Sequence, residues 1–179
     1  MSEVAAFFAW AGAALIVLSD GRRGLALGLA LITPGFAVLA LVAGESLAAV
    51  AILLGGAFAA VQRLRTGPDV WGLMPSGSTS RLLLSIAGGL LALWIATSVM
   101  TGPGAPLRFA VLSVLGLMGA RVMSGGQTAA LVTALAALAL SFAMAAGLAD
   151  TGPGPSPYIV AALFAVGVSV VTLERANGA

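Results

Sequence analysis

The chain has 179 residues, 60% of them hydrophobic and 8% charged, with a mean hydropathy of +1.12; a soluble domain carries about 25% charged residues, so lipid is the expected solvent. There is no Cys, no His and no Lys, and all eight basic residues are Arg against six acids. This excludes disulfides, thiol nucleophiles, Cys/His metal sites and His-ligated haem, and it leaves no lysine to anchor retinal or pyridoxal phosphate.

A membrane-spanning helix needs about 17–25 mostly apolar residues. Seven segments fit: 4–19, 24–44, 46–61, 82–100, 107–123, 128–148 and 157–173. The fold class is therefore all-α, a polytopic membrane protein, with residues 1–179 forming one transmembrane helical domain. The first segment follows an acidic "MSE" and lacks a small-residue cleavage site, so it reads as a retained span and not a signal peptide. The first and third are short and suit a small tilt or a thinned bilayer.

In the second span Gly24 and Gly28 form a GxxxG pair, and Pro34 sits mid-span beside Thr33 and Gly35. Proline removes a backbone hydrogen bond and bends the helix, and Thr33 is placed to satisfy a freed carbonyl. Gly44 and Glu45 alone separate the second span from the third. Glu45 is either a solvated turn residue or, if that hairpin is recessed, an inward-dipping acid. Span three carries Ala51, Gly55 and Ala59 at helical spacing, as span one carries Ala5, Ala9 and Ala13. Small residues in such stripes let helices approach closely in lipid, where the hydrophobic effect supplies no attraction between them.

The longest polar stretch is "RLRTGPDVWGLMPSGSTSR", 63–81. Its apolar middle contains Trp71, which suits interfacial anchoring or docking to a cytoplasmic partner. Span four offers Gly88, Ala92 and Ala96. Arg108 lies at the start of span five and Arg121 about one turn inside its far end. Each either snorkels to headgroups or pairs with a partner subunit's acid. Span six has the longest stripe, Ala129, Thr133, Ala137, Ser141 and Ala145, with Leu131, Leu135, Leu138 and Phe142 on another face. Span seven offers Ala161, Ala165 and Ser169.

The tetrapeptide TGPG occurs at 101–104 and 151–154, and TGPD at 66–69. Each follows a span, where Gly and Pro end helices. With seven spans the copies fall on opposite sides of the membrane, so they share no ligand site. Seven spans also put Arg108 alone on the N-terminal side and the other seven arginines on the opposite side. That asymmetry places the N-terminus outside and the C-terminus in the cytoplasm. No arginine cluster is large enough for nucleic acid.

All six acids fall at span ends. With no buried acid, His or Lys, the chain is not equipped to relay protons, and no nucleophile–base or paired-carboxylate constellation appears. No enzyme activity and no cofactor or metal is expected.

The early hairpin "ALVAGESLAAVAILLGGAFAAVQRLR" and the last span "IVAALFAVGVSVVTLER" resemble the membrane component E of hydrogenase-4 and formate hydrogenlyase complexes. That family is similar to the NuoK-type three-span subunits of respiratory complex I and to a subunit of Mrp antiporters. The NuoK-type subunits carry mid-membrane glutamates and this chain has none, so the resemblance implies a non-catalytic, structural subunit and transfers no catalytic residue. It implies the plasma (inner) membrane of a bacterium, with other membrane subunits or further copies of the chain as partners besides the lipid bilayer. Microbial rhodopsins share the seven-span layout, but the missing lysine excludes them. Sugar transporters built as three plus one plus three spans share it too, although spans five to seven hold no counterpart of Pro34. The alternative function is thus a stand-alone transporter or channel for a small solute, its path lined by Ser85, Thr97, Ser98, Ser113, Thr133 and Ser141.

Overall fold

A computed structural model describes residues 1–66, 72, 79–99, 104–124, 127–147 and 154–177, with residue 99 and residues 171–177 described by backbone alone. The described residues form seven α-helices: α1 (Ser2–Leu18), α2 (Arg22–Val42), α3 (Ser46–Arg65), α4 (Thr79–Trp94), α5 (Ala105–Met123), α6 (Thr128–Ala146) and α7 (Ser156–Asn177). The last turn of α4 continues as a π-helical turn, Ile95–Val99. Five helices are long and apolar enough to cross a membrane, α2 to α6. α1 and the described part of α7 are apolar but shorter.

Local chemistry explains the ends. α1 stops where Ser19 turns extended, and the Asp20 N–H donates to the Gly72 carbonyl at 3.0 Å. The α2–α3 turn is a Schellman motif: Gly44 takes a φ of +86°, its N–H donates to the Leu41 carbonyl, and the Glu45 N–H donates to the Ala40 carbonyl. A residue with a Cβ is strained at that φ, so this position selects glycine. Thr66 caps α3 in extended conformation, its hydroxyl donating to the Gln62 carbonyl at 2.9 Å. Gly104 is the N-cap of α5, with Pro106 in the first turn, where a missing N–H costs nothing. The remaining residues of the three TGP tetrapeptides, apart from Gly154, lie outside the described residues.

α1, α2 and α3 lie side by side as an antiparallel row. α5, α6 and α7 form a second row, packed so that α1 meets α5, α2 meets α6 and α3 meets α7. The stacked pairs run parallel: Arg121 at the end of α5 reaches Asp20 at the end of α1, and Gly55 of α3 touches Ala162 of α7. The two rows keep the same order, so a shift relates them. A two-fold axis along the helices would have set α1 against α7. α4 stands outside both rows, against α5 and α1.

The core lies between and within the rows, built of Ala5, Ala9 and Ala13, Ile32 and Phe36, Ile52, Val114 and Met118, and Ala137 and Leu140. α1 and α2 touch backbone to backbone: a Cβ on Gly12 would lie 2.5 Å from the Gly28 carbonyl oxygen.

Two expectations are corrected here. α4 buries Ser85, Gly89 and Ala92, and a Cβ on Gly89 would strike the Trp10 ring, whereas one on Gly88 would make only ordinary contact with Leu117 at 3.5 Å. The packing glycine is Gly89, one residue and about 100° round the helix from Gly88. The Thr33 hydroxyl donates to the Leu29 carbonyl at 2.7 Å, which the Thr33 N–H already serves in an unbroken helix. The carbonyl deprived by Pro34 is that of Ala30, so Thr33 does not relieve it.

Candidate functional site

The bundle end that gathers the termini of α1, α3 and α5 and the starts of α2 and α4 carries Arg22, Arg23, Arg63, Arg65, Arg81 and Arg121; we refer to it as the arginine end. Its most connected residue is Asp20, in the link between α1 and α2. Arg81, two residues into α4, donates from Nη1 to both Asp20 carboxylate oxygens, at 3.2 and 3.4 Å. Arg121, in the last turn of α5, donates from Nη2 to Asp20 Oδ1 and lies 3.4 Å from the Ser19 carbonyl. One carboxylate thus joins three elements that are distant in sequence. Arg121 is only 1% exposed. Its side chain turns inward instead of snorkelling and pairs with Asp20 of its own chain. The cluster thus sets two guanidinium groups against one carboxylate.

The other residues singled out from sequence fall as follows. Glu45 is half-buried at the N-cap of α3, within electrostatic reach of Tyr158 at the start of α7. Arg108 is half-buried, with Nη2 3.5 Å from the Ala96 carbonyl in the π-helical turn. Trp71 lies outside the described residues. The 63–81 stretch begins inside a helix, because α3 runs on to Arg65 and Arg63 is only 3% exposed. Gly24 and Gly28 are buried in α2. A Cβ on Gly28 would sit 2.5 Å from the Ile16 side chain, and one on Gly55 2.7 Å from Ala162. Thr133, Ala137 and Ser141 are buried, and Ala129 is half-buried. Gly12, Gly35 and Gly56 also mark close helix contacts. Gly12 and Gly56 each lie next to a stripe residue, and Gly35 next to Pro34, which are the signals that would have found them.

Five of the six hydroxyls considered for a solute path bond back to their own helices, and Ser98 is exposed. Ser85 donates to the Arg81 carbonyl at 2.9 Å, Thr97 to Leu93 at 2.8 Å and Ser113 to Ala110 at 3.1 Å. Thr133 donates to Ala129 and Ser141 to Ala137, both at 2.7 Å. This is the usual resort of Ser and Thr in an apolar surround.

Grooves open on the surface of the bundle among the described residues. One of about 450 Å³ lies between α6 and α7, one of about 750 Å³ between α2 and α3, one of about 330 Å³ between α1 and α2, and one of about 220 Å³ between α4 and α5. Their linings are apolar apart from Arg23 and Thr33 in the second and Ser113 in the last. Among the described residues no three His, Cys, Asp or Glu side chains gather as metal ligands.

On α5, Gly116 lines the α4–α5 groove and Gly119 lies three residues on; among the described residues a Cβ on either would meet nothing within 4 Å. They sit on α5 beside α4, the least covered of the long helices, with 22% of its span buried.

No family model, curated protein or solved structure matches this chain.

Proposed function

We propose that the chain is a non-catalytic integral membrane subunit that packs within a larger membrane complex. It crosses the bilayer seven times, with the N-terminus outside and the arginine end in the cytoplasm. The seven-to-one division of arginines supports that orientation. At about 1.5 Å per residue the seventeen-residue α1 is about 26 Å long, close to a hydrocarbon core of about 30 Å.

The observation that carries the subunit reading is the open glycine face of α5. Glycine within a helix costs roughly 1 kcal/mol relative to alanine. Gly12 and Gly28 recover that cost by bringing α1 and α2 together. Among the described residues Gly116 and Gly119 have no neighbour to recover it from, and a helix of another subunit would supply one. A respiratory or hydrogenase assembly of complex-I type fits the resemblance of the α2–α3 hairpin and the last helix. A transporter of small solutes needs polar groups turned toward a shared cavity, and the back-bonded hydroxyls weigh against it.

Purification of the tagged chain from its native membrane in a gentle detergent, followed by native mass measurement, tests the proposal. Co-purifying membrane subunits are the expected result. A lone monomer or homo-oligomer would overturn it.

A further inference from the structure

The groove between α2 and α3 has an arginine at one end. Its floor is made of small residues, Ala30 and Ala57 among them, and its walls of Leu27, Leu53 and Leu64. Pro34 lies near its inner end and Arg23 at the arginine end. The rise from Arg23 to Pro34 is about 16 Å, close to half of a hydrocarbon core of about 30 Å. The groove is therefore one leaflet deep. Its volume of about 750 Å³ falls within the range of ligand pockets, about 300–1,000 Å³.

Nothing along its length rewards a polar ligand. Its one hydroxyl, on Thr33, is already committed to the Leu29 carbonyl. The polar chemistry is confined to the mouth. Gly56 of α3 packs against Thr33 of α2, and the helices are antiparallel, so Arg65 stands level with Arg22 and Arg23. Three positive charges thus cluster where the groove meets the headgroup layer. Arg23 keeps a contact within the chain as well, and a guanidinium has five donors to share.

We propose that this groove binds an anionic phospholipid, one acyl chain lying along α2 and α3 and the phosphate held by Arg23. The proposal rests on the reading of the bundle as membrane-embedded. Basic pockets between spanning helices recognise anionic headgroups in this way. The α6–α7 groove has no charged residue in its lining, so it accepts an acyl chain without selecting a headgroup.

The test is native mass spectrometry of the detergent-purified chain with equal amounts of phosphatidylglycerol and phosphatidylcholine. The chain should retain phosphatidylglycerol about fivefold more than phosphatidylcholine, the ratio expected of one arginine at a phosphate. Arg23→Gln should abolish the preference, and Ala57→Phe, which fills the groove, should abolish it too. Val160→Phe, in the uncharged α6–α7 groove, should keep it. Equal retention of the two lipids by the unaltered chain, or a preference that survives Arg23→Gln, would overturn the proposal. Should Ala57→Phe fail to fold, Arg23→Gln decides alone, since its side chain is exposed. A chain that leaves its membrane without detergent would refute the membrane reading itself. A chain that needs detergent but shows no preference refutes only the lipid site.

Discussion

Asp20 makes one carboxylate serve two guanidinium groups, and the two partners are not equivalent. Arg121 is buried, whereas Arg81 stays partly open to solvent. Removing the acid leaves Arg121 buried without its counter-charge, which typically costs about 3–5 kcal/mol. Removing Arg121 leaves Asp20 still paired with Arg81. Asp20→Ala is therefore expected to lower the melting temperature in mild detergent more than Arg121→Met, and the double variant should recover much of the Asp20→Ala loss. A larger loss for Arg121→Met than for Asp20→Ala would contradict this assignment. None of this pairing was legible in the sequence, because Asp20 and Arg121 are 101 positions apart and only the packing of α1 on α5 brings them together. Individual residues were readable where periodicity alone decides, as at Ala9, Ala13, Thr133 and Ser141. Gly88 was misassigned because Gly89 is adjacent and both belong to plausible small-residue faces. The choice between them was made by Trp10, on another helix.

The helices themselves were the most legible level. A run of apolar residues closed by Gly, Pro or Arg fixes where a span lies, and each of the seven predicted segments coincides with a helix. Departures occur where polar residues extend a helix beyond its apolar part. α3 carries on through Gln62 and Arg63 to Arg65, and α4 begins at Thr79 instead of Leu82. The π-helical turn at Ile95–Val99 has no signature in composition. Its contact with Arg108 relates it to the start of α5 and not to any local motif. Helices also differ in how firmly they are held. α4 offers Ser85, Gly89, Ala92 and Ala96 to the bundle and leaves Leu83, Leu90 and Trp94 exposed. Regions with few buried contacts open at the lowest free energy. In detergent, hydrogen exchange should be fastest in α4 among the long helices and slowest in α2. Protection of α4 equal to that of α2 in the isolated chain would show that it is held by contacts beyond those described.

At the scale of the molecule, the three-plus-one-plus-three order was visible in the sequence, but the way the triplets stack was not. Parallel repeats in transporters are related by an axis along the membrane normal. The two rows here keep their order and are related by a shift, not by such an axis. Side-chain patterns name the buried face of each helix but not the helix it meets. Orientation is open to direct measurement because the chain contains no cysteine, so single cysteines report alone. A membrane-impermeant maleimide should label Ser46→Cys in intact cells, and Ser124→Cys only after permeabilisation. The reverse pattern would place the arginine end outside and contradict the orientation.

The central claim is that the chain closes its own core with one set of glycines and keeps another for a neighbour. Its most direct test compares Gly116→Leu with the unaltered chain, measuring melting temperature and the membrane subunits that co-purify in gentle detergent. Among the described residues nothing lies within 4 Å of that Cβ, so stability should be unchanged or slightly raised while the co-purifying subunits are lost. Retention of the same subunits by Gly116→Leu, at undiminished yield, would contradict it.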